Sequence, residues 1–395
     1  MSRIVVTGMG AISAIGNSVE ENRQSLVQGK SGIGPLELFA TKYAQLLPFG
    51  EIKITNSDLR KKLKANDAGL TRTTLLALHA FEEAIADAQI PASLLEEHGT
   101  ALVGASTVGG MCLTDELYHD ANKDDNGSEY LSSYDCASVN IYLQKRFGVG
   151  GIINTINTAC SSSANAILYG ARLIKNGWAR RAIVGGTDSL AKFTINGFNA
   201  LHILSPDQCA SFDEGRKGLN LGEGAAFLVL EKEEDAIGKK NYATVSGYSN
   251  TNDAYHASSL SEEGDGPYLC MKQALEMAGI SPSAISFINA HGTGTENNDL
   301  SESNAMIRLF KDVPAFASTK PATGHTLGAA GAIEAVFSIL SLQHQEVYAG
   351  LNFKQPIATT GLQPVKTYEH KSLQHVMSNS FGFGGNCASL VFSKA

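Results

Sequence analysis

Apolar and polar positions along the chain follow two alternating patterns. Residues 4–10 form a β-branched run ended by glycines, which is typical of a strand. Residues 72–89 place apolar side chains at the three- and four-residue spacing of a helix with one buried face. Those side chains are Leu75, Leu78, Phe81 and Ile85. The pattern therefore predicts a strand followed, after a long connection, by a helix.

The same alternation returns in the middle of the chain. Strands are predicted over residues 152–157 and 181–184, and a helix of small residues over 160–176 separates them. Strands that alternate with helices predict an α/β fold built in layers.

The chain divides into two halves, residues 1–237 and 238–395, at a polar, lysine-rich stretch that follows a Glu-rich one. Residues 157–166 and 322–331, one segment from each half, resemble each other. Both carry a Thr two places before a reactive side chain and then a run of small residues. This similarity suggests two copies of one unit. The first copy is longer, and we place a cap or dimer-facing lobe in its two polar segments, 36–66 and 112–135.

Composition narrows the classes of function. The chain of 395 residues has 31 Lys and Arg against 39 Asp and Glu, and this acidic balance removes the broad electrostatic argument for nucleic acid. Only 18% of the residues are charged, which indicates a large buried core or an oligomer interface. We expect no membrane span and no cleavable signal, and therefore a cytoplasmic protein. The six cysteines form no CxxC pair, which argues against a disulfide framework and a zinc cluster.

Cys160 is the first candidate for chemistry. It follows a predicted strand and begins a helix rich in Ser and Ala. Free backbone N–H groups and the helix dipole stabilise negative charge at such a point, so we expect a favoured thiolate and a nucleophile. The other five cysteines are interpreted as buried packing residues.

Two histidines lie in Gly/Thr-rich segments, where a loop can present a side chain to a cleft. His291 follows a predicted strand in residues 288–295, and His325 lies in residues 320–331. A lone histidine is more often structural, but two in such surroundings favour a catalytic role. A third glycine-rich segment, residues 379–386, alternates bulky aromatics with glycine. It predicts either a tight turn between strands or a hinged gate beside a pocket.

Four segments, in the order in which they occur along the chain, resemble those of the β-ketoacyl-ACP synthases of the elongating, type II fatty-acid kind. They are Thr158–Ser163, Asn289–Thr295, Lys320–His325 and Phe381–Gly385. The resemblance runs from end to end of the chain. It implies a thiolase fold, a duplicated five-layered α/β/α/β/α sandwich, which is usually dimeric.

The resemblance also implies a mechanism and the residues that carry it. Cys160 would take an acyl group as a thioester, and malonyl-ACP would then lose carbon dioxide and attack that thioester to give 3-oxoacyl-ACP. The backbone N–H groups of Cys160 and Phe383 would form an oxyanion hole. His291 and His325 would donate hydrogen bonds from Nε2 to the malonyl thioester oxygen. Lys320, paired with Glu302, would balance the local charge and help to orient His325.

Other positions match family contacts to the substrate. Phe383 matches the gating aromatic, Val108 and Phe198 match residues that line the acyl pocket, and Thr293 and Thr295 match contacts to the phosphopantetheine arm. For the threonines the alternative is a turn that caps its own backbone. A further group falls where the family often holds a structural monovalent cation: Asn289, Ala290, Glu334, Ser378 and Asn379. No other cofactor is expected, since the substrates are carried on the phosphopantetheine of ACP.

Acyl carrier protein is the expected partner, together with a second copy of the chain or a ketosynthase-like subunit. The basic run Arg60–Lys64 would suit an acidic carrier, although such a run is more often a solvated helix face. Two positions depart from the family: residues 384–387 read Gly-Gly-Asn-Cys for the usual Gly-Gly-Thr-Asn, and His202 replaces a common arginine. These departures suggest a specialised relative, such as one that makes polyene or other secondary lipid chains.

Three alternatives remain open at this point. A thiolase would share the fold but use a second cysteine as base, and an initiating synthase would use a Cys-His-Asn set. His325 at the reactive position of the second half argues against both. A chain-length-setting partner subunit would lack chemistry, yet such subunits lose the cysteine that Cys160 retains. A metallohydrolase would bind its metal through His291, Asp299, Glu302 and His325. These residues lack an HExxH-like spacing, which argues against this class of enzyme.

Overall fold

The computed structural model describes residues 3–123 and 127–395 of the chain. Its strands are β1 (Ile4–Ser13), β2 (Ile33–Gly34), β3 (Phe49–Gly50), β4 (Thr100–Ala105), β5 (Ile153–Ile156), β6 (Arg181–Asp188), β7 (Gly224–Lys232), β8 (Ala243–Asn252), β9 (Phe287–Asn289), β10 (Ala315–Ala317), β11 (Glu346–Val347), β12 (Glu369–His370), β13 (His375–Gly382) and β14 (Asn386–Ser393).

Helices connect most of these strands. They are α1 (Val19–Val27), α2 (Asn56–Leu63), α3 (Arg72–Asp87), α4 (Ala92–Leu95), α5 (Thr114–Lys123), α6 (Ser138–Phe147), α7 (Ser162–Lys175), α8 (Lys192–Ala200), α9 (Asp265–Ala278), α10 (Glu296–Leu309), α11 (Lys320–Thr323) and α12 (Ala330–His344). The predicted alternation of strands and helices is therefore confirmed. The elements that the hydrophobic pattern predicted correspond to β1, α3, β5, α7 and β6.

The main sheet has ten strands, and its order reveals the duplication. From one edge to the other the order is β10-β9-β13-β14-β8-β1-β7-β6-β4-β5. Counted inward from either edge, the first two pairings are parallel and the next two are antiparallel. Each half of the chain thus supplies five strands with one topology. The two sets meet where β1 pairs with β8.

The helices complete the layers. In the first half, α3 packs on β1 and β7, and in the second half α9 packs on the equivalent strands β8 and β14. Helices α7 and α12 pack against each other and contact strands of both halves. They form a central layer between the two sets of strands, which gives the predicted α/β/α/β/α sandwich.

This symmetry places the two reactive segments at equivalent points. Cys160 lies between β5 and α7, and His325 lies between β10 and α12. The segments 157–166 and 322–331, which resemble each other in sequence, therefore occupy matching positions in the two copies. Since α7 and α12 pack side by side, their leading ends are brought to one place.

Helix α12 shows that composition alone does not distinguish a membrane-spanning helix from a helix buried in the core. By length and composition alone, the segment Leu327–His344 is long and apolar enough to cross a bilayer, with a mean hydropathy of 1.2 over 18 residues. In the structure 89% of that segment is buried among other elements. Its apolar character matches its place in the central layer.

The two polar segments assigned to a lobe carry short elements outside the main sheet. Segment 36–66 includes β3 and α2, and segment 112–135 includes α5. Residues 124–126 of the second segment lie outside the described residues. The lobe's predicted role at a dimer interface stays a prediction.

A buried ion pair joins the start of α3 to Glu223, the residue just before β7. Arg72 at the start of α3 donates to Glu223, and the Glu223 carboxylate also accepts the backbone N–H groups of Ile52 and Leu190. The Glu223 side chain is 1% exposed and that of Arg72 is 13% exposed. Three separate segments therefore meet on this one carboxylate.

Removal of the arginine leaves that carboxylate buried without its cation. We expect Arg72→Met to lower the free energy of unfolding by about 3–5 kcal/mol, measured by urea denaturation. The control is Arg3→Met, since the Arg3–Glu233 pair is exposed on both sides and its loss is expected to change stability far less. Equal effects of the two variants would contradict the assignment.

Candidate active site

The turn that carries Cys160 is tightly constrained. Ala159, just before it, has a positive φ of 53°, and α7 begins two residues later, at Ser162. Gly382 packs against this turn so closely that an added Cβ would lie 2.9 Å from the Cys160 nitrogen. A non-glycine residue in the left-handed region is strained and is often found at a functional site. The predicted placement of the thiol between a strand and a helix is therefore confirmed.

Both sequence-predicted histidines lie beside the thiol. The sulfur of Cys160 and a ring nitrogen each of His291 and His325 all lie within 4.8 Å of one another, and all three residues are buried. The two imidazole rings are 5.5 Å apart between centroids and nearly perpendicular. One half of the chain thus supplies the sulfur and the other supplies both imidazoles.

The hydrogen bonds of the two imidazoles assign their protons. Nδ1 of His325 accepts the backbone N–H of Leu327 at 3.1 Å. Nδ1 of His291 faces the Lys320 ammonium at 3.1 Å, and a lysine ammonium can only donate. Burial and the nearby Lys320 hold the pKa of both histidines well below its usual range, so both rings are neutral. Each ring therefore carries its proton on Nε2, which is free to donate to a substrate.

Lys320 pairs with a different carboxylate from the one that the sequence suggested. Its Nζ donates to Glu334 Oε1 at 2.5 Å and to the His291 carbonyl oxygen, as well as facing His291 Nδ1. These three contacts use all three N–H bonds of the ammonium. Burial raises the pKa of Glu334 to about 7, while Lys320 lowers it.

The prediction that Glu302 pairs with Lys320 is wrong, and the imidazole that Lys320 orients is that of His291 instead of His325. Glu302 accepts the backbone N–H groups of His291 and Gly292, each at 2.9 Å, and the side-chain amide of Asn379 at 3.2 Å. Burial raises its pKa to about 7, and those backbone N–H groups lower it. Glu302 thus holds the backbone on which His291 is mounted, while Glu334 is the partner of the lysine.

The electrostatics of Cys160 differ from the sequence expectation. Burial raises the pKa of its thiol to about 11, although Lys320 and the backbone N–H groups of Phe383 and Cys160 lower it. Desolvation therefore outweighs the helix start, and the resting state is a thiol rather than a thiolate. The same two N–H groups lie beside the sulfur, which is where the carbonyl oxygen of a thioester on Cys160 would form.

The predicted gate lies beside the sulfur. Phe383 is half-buried and stacks on Phe198, with ring centroids 5.6 Å apart and planes 19° apart. Asn386, where the family usually has threonine, donates from its side-chain amide to the Phe383 carbonyl oxygen at 2.9 Å. Rotation of this loop would break that bond.

A cavity of about 400 Å³ connects this group of side chains to the surface. Cys160, both histidines, Phe198 and Phe383 line it, and so do Thr293 and Thr295. The two threonine hydroxyls lie 2.8 Å apart, and that of Thr293 also accepts the Thr295 backbone N–H at 3.4 Å. The two threonines therefore face the cavity and also support their own turn. His202 and Lys217 lie on the same cavity wall.

Val108 does not lie on the wall of this cavity. It is fully buried in a small apolar cluster with Leu190 and Ile195, against which Phe198 packs. Its predicted contact with an acyl chain would need the chain to pass Phe198, so the role stays a prediction.

The metallohydrolase alternative does not fit the geometry. Asp299 accepts the backbone N–H groups of Phe212 and Gly294, and Glu302 is occupied as described, so neither carboxylate joins the histidines. Histidines that bind zinc usually donate their second ring N–H to an acceptor. Here the second nitrogen of His291 and of His325 faces a donor. The geometry of the pair therefore suits hydrogen-bond donation from Nε2.

The residues predicted for a monovalent cation fit one in part. Among the described residues, the buried oxygens Asn289 Oδ1, Glu334 Oε2 and Ser378 Oγ have no hydrogen-bond partner. Orphaned oxygens of this kind suit a hard cation. Asn379 is engaged elsewhere, since its Oδ1 accepts the Ser389 hydroxyl and its Nδ2 contacts Glu302.

Sequence reasoning missed three contributors to the site. The backbone N–H of Leu327 fixes the His325 proton, but a backbone group leaves no mark on the sequence. The carboxylate of Asp188 holds the turn after His325, and Lys217 stands on the cavity wall. The signal available for Asp188 was its position at the end of β6, after Gly-Gly-Thr. A carboxylate at the end of a strand can accept hydrogen bonds from a neighbouring loop.

The raised pKa of Cys160 gives a pH dependence that can be measured. Because only the thiolate is alkylated and the pKa is about 11, the rate of alkylation of Cys160 by iodoacetamide should rise about tenfold per pH unit from about pH 7 to about pH 9. Lys320→Met removes a cation that lowers this pKa and should slow the reaction. Mass spectrometry with Cys160 mapped gives the rate, and a plateau that begins near neutral pH would contradict the assignment.

Comparison with known proteins agrees with this geometry. The profile of the β-ketoacyl synthase N-terminal domain matches residues 1–236, and that of the C-terminal domain matches residues 242–354. The chain is 34% identical to 3-oxoacyl-[acyl-carrier-protein] synthase 2 of Staphylococcus aureus (strain COL), over 99% of this chain and 98% of that protein.

Solved structures give the same result. The ishigamide ketosynthase/chain length factor superposes with a TM-score of 0.93 at 28% identity, covering 100% of this chain and 99% of the other. A type II polyketide synthase acyl-carrier protein in complex with its ketosynthase bound to the hexaketide gives 0.91 at 27% identity, with full coverage of both chains. The predicted thiolase fold is thereby confirmed. The chain belongs to the β-ketoacyl synthase family, whose members are condensing acyltransferases.

Proposed function

We propose that this β-ketoacyl synthase condenses an acyl group held on Cys160 with a malonyl group held on acyl carrier protein, and so lengthens a fatty-acid or related lipid chain. The observation that carries the proposal is one sulfur within 4.8 Å of two imidazole nitrogens, with both rings protonated on Nε2 by the assignment above. This arrangement suits a thioester on the sulfur facing a second thioester that develops negative charge on its oxygen.

In the first half-reaction the Cys160 sulfur attacks the thioester carbonyl of the acyl donor. A bond forms between that sulfur and the carbonyl carbon, and the bond to the carrier sulfur breaks. The carrier leaves as a thiol with the proton that Cys160 gave up. Negative charge builds on the carbonyl oxygen during attack, where the N–H groups of Cys160 and Phe383 stabilise it.

In the second half-reaction the malonyl group loses carbon dioxide. The carbon–carbon bond to the carboxylate breaks, and its electron pair moves into an enolate whose oxygen accepts the Nε2–H bonds of His291 and His325. The enolate carbon then attacks the acyl carbonyl, the bond to the Cys160 sulfur breaks, and the departing sulfur takes a proton from solvent to regenerate the thiol. The product is a 3-oxoacyl thioester that is two carbons longer.

The neighbours of the histidines serve this step indirectly. Lys320 keeps the His291 proton on Nε2 by donating to its Nδ1, and Glu334 neutralises that ammonium. A bound monovalent cation, held by the orphaned oxygens of Asn289, Glu334 and Ser378, would supply a further positive charge beside this pair. No step of the reaction passes through it.

The wall of the cavity supports a carrier-bound substrate. A phosphopantetheine arm would enter the cavity to reach Cys160, and the Thr293 and Thr295 hydroxyls on its wall offer hydrogen bonds to that arm. Lys217 lies on the same wall and suits the phosphate of the arm. Phe383, stacked on Phe198, would swing away as the acyl chain enters. A ketosynthase of the same fold has been solved with its acyl-carrier protein, which supports this partner.

A basic surface on α2 supports carrier docking. Lys61, Lys62 and Lys64 are exposed, whereas Arg60 donates to the carbonyl oxygens of Ala65, Asp67 and Leu70 and therefore has a structural role. An acidic carrier would approach the three lysines through long-range attraction.

The assembly and the location of the chain are also proposals. Among residues 3–123 and 127–395, strand β5 pairs on one side only, with β4, and exposed apolar side chains lie nearby, Ile141 on α6 and Ile152 before β5. An edge strand of this kind favours pairing with a second copy or with a ketosynthase-like subunit. We propose the cytoplasm as the location of this assembly. The likeness to a ketosynthase/chain length factor supports the hetero-pair and a role in secondary metabolism as a second candidate. A non-catalytic subunit is disfavoured by the complete Cys-His-His group.

The half-reactions separate the roles of the catalytic residues. We expect His291→Ala and His325→Ala to lower malonyl-carrier decarboxylation about 10²–10³-fold, since each removes one donor to the enolate oxygen, and to leave acylation of Cys160 largely intact. Cys160→Ala should abolish acylation. Acyl-enzyme mass and released carbon dioxide are the two measurements, and loss of acylation in both histidine variants would contradict the proposal.

Charge reversal tests the docking surface. We expect Lys61→Glu combined with Lys62→Glu to raise KM for an acyl-carrier substrate roughly 5- to 10-fold, with the increase largest at low salt, and to leave KM for a free pantetheine thioester unchanged. The matched control is Lys192→Glu, at an exposed lysine at the start of α8 that pairs with Asp115. The proposal fails if the control and the double variant behave alike.

A further inference from the structure

Asp188 is a buried carboxylate that the mechanism above does not use. It is the last residue of β6, and its side chain is fully buried. Burial raises its pKa. No cation forms an ion pair with it within residues 3–123 and 127–395. A buried acid without a counter-ion is costly, so its hydrogen bonds are expected to have a specific purpose.

Those hydrogen bonds join the loop after β4 to the turn after His325. On one side, Asp188 Oδ1 accepts the Ser106 hydroxyl and the Val108 backbone N–H, each at 2.8 Å. The Thr107 hydroxyl and backbone N–H also donate to the carboxylate, at 2.6 and 2.9 Å. This loop directly follows β4, the parallel neighbour of β6. Asp188 therefore closes the loop that carries Val108.

On the other side, Asp188 Oδ2 accepts the backbone N–H of Gly328 at 2.7 Å. An added Cβ on Gly328 would lie 2.8 Å from this oxygen, so the two groups are in close contact. Gly328 follows Leu327, whose own N–H is the donor that fixes the His325 proton on Nε2. Leu327 has a positive φ of 53°, a strained conformation that its surroundings must hold.

We propose that Asp188 is a positioning residue for decarboxylation: its carboxylate holds the Leu327–Gly328 turn against the Ser106–Val108 loop and thereby keeps His325 ready to donate from Nε2. The inference rests on the proposed function. Loss of the carboxylate frees the turn, Leu327 relaxes, and the Leu327 N–H leaves His325 Nδ1. Cys160 and the oxyanion hole lie on other segments and are not held by Asp188.

The test compares the two half-reactions in Asp188→Asn. In this variant an NH2 group replaces one carboxylate oxygen. It faces N–H and O–H donors, and because it cannot accept their hydrogen bonds, those contacts are lost. We expect malonyl-carrier decarboxylation to fall by ~10²-fold and acylation of Cys160 by a short acyl donor to change far less. In the same variant, ¹⁵N NMR of labelled histidine should show His325 losing its single Nε2–H tautomer.

The matched control is Asp213→Asn. Asp213 is also a buried aspartate, and it accepts backbone N–H groups from its own turn, at Gly215, and from one distant segment, at Lys354 and Gln355. It touches neither His325 nor the loop after β4. We expect the ratio of the two half-reaction rates to stay at the wild-type value in this control.

A milder variant covers the case in which Asp188→Asn does not fold. Thr107→Val removes one hydroxyl donor and keeps the backbone contacts, so a smaller loss in the same direction, selective for decarboxylation, is expected. Equal loss of both half-reactions in the folded variants, with the His325 tautomer unchanged, would overturn the inference. If the wild-type chain performs neither half-reaction, the proposed function fails instead, and the two failures are therefore distinct.

Discussion

The buried ammonium of Lys320 is the interaction on which the active site depends. Its three N–H bonds point to His291 Nδ1, to the His291 carbonyl oxygen and to Glu334, so one cation fixes a ring, a backbone and a carboxylate together. Its charge also acts on the sulfur, since it lowers the pKa of Cys160 against the effect of burial. Nucleophile and proton donor are therefore tuned by the same group.

The duplicated fold explains how these groups come together. The two copies have the same strand order, and each places a reactive residue before a helix of the central layer. In the first copy that residue is Cys160 and in the second it is His325. The second copy adds His291 and Lys320. A symmetric scaffold thus carries an asymmetric site, in which one copy supplies a nucleophile and the other supplies donors.

The sequence predicted most of the fold and the three reactive side chains, because hydrophobic spacing and short Gly-rich segments record them directly. The partner of Lys320 could not be predicted: Glu302 and Glu334 are both buried on helices, and only packing decides which carboxylate meets the ammonium. The thiol state of Cys160 also depends on desolvation, which the helix start alone did not reveal. Asp188 escaped notice because its partners are mostly backbone N–H groups from two distant loops.

The most direct test of the central claim is the intact mass of the protein, with the modified residue mapped, after incubation with a panel of acyl carriers. The account predicts a mass increase equal to one acyl group on Cys160 for at least one carrier, and its disappearance when malonyl carrier is added. A chain that remains unmodified at Cys160 across the whole panel would contradict acyl-enzyme chemistry.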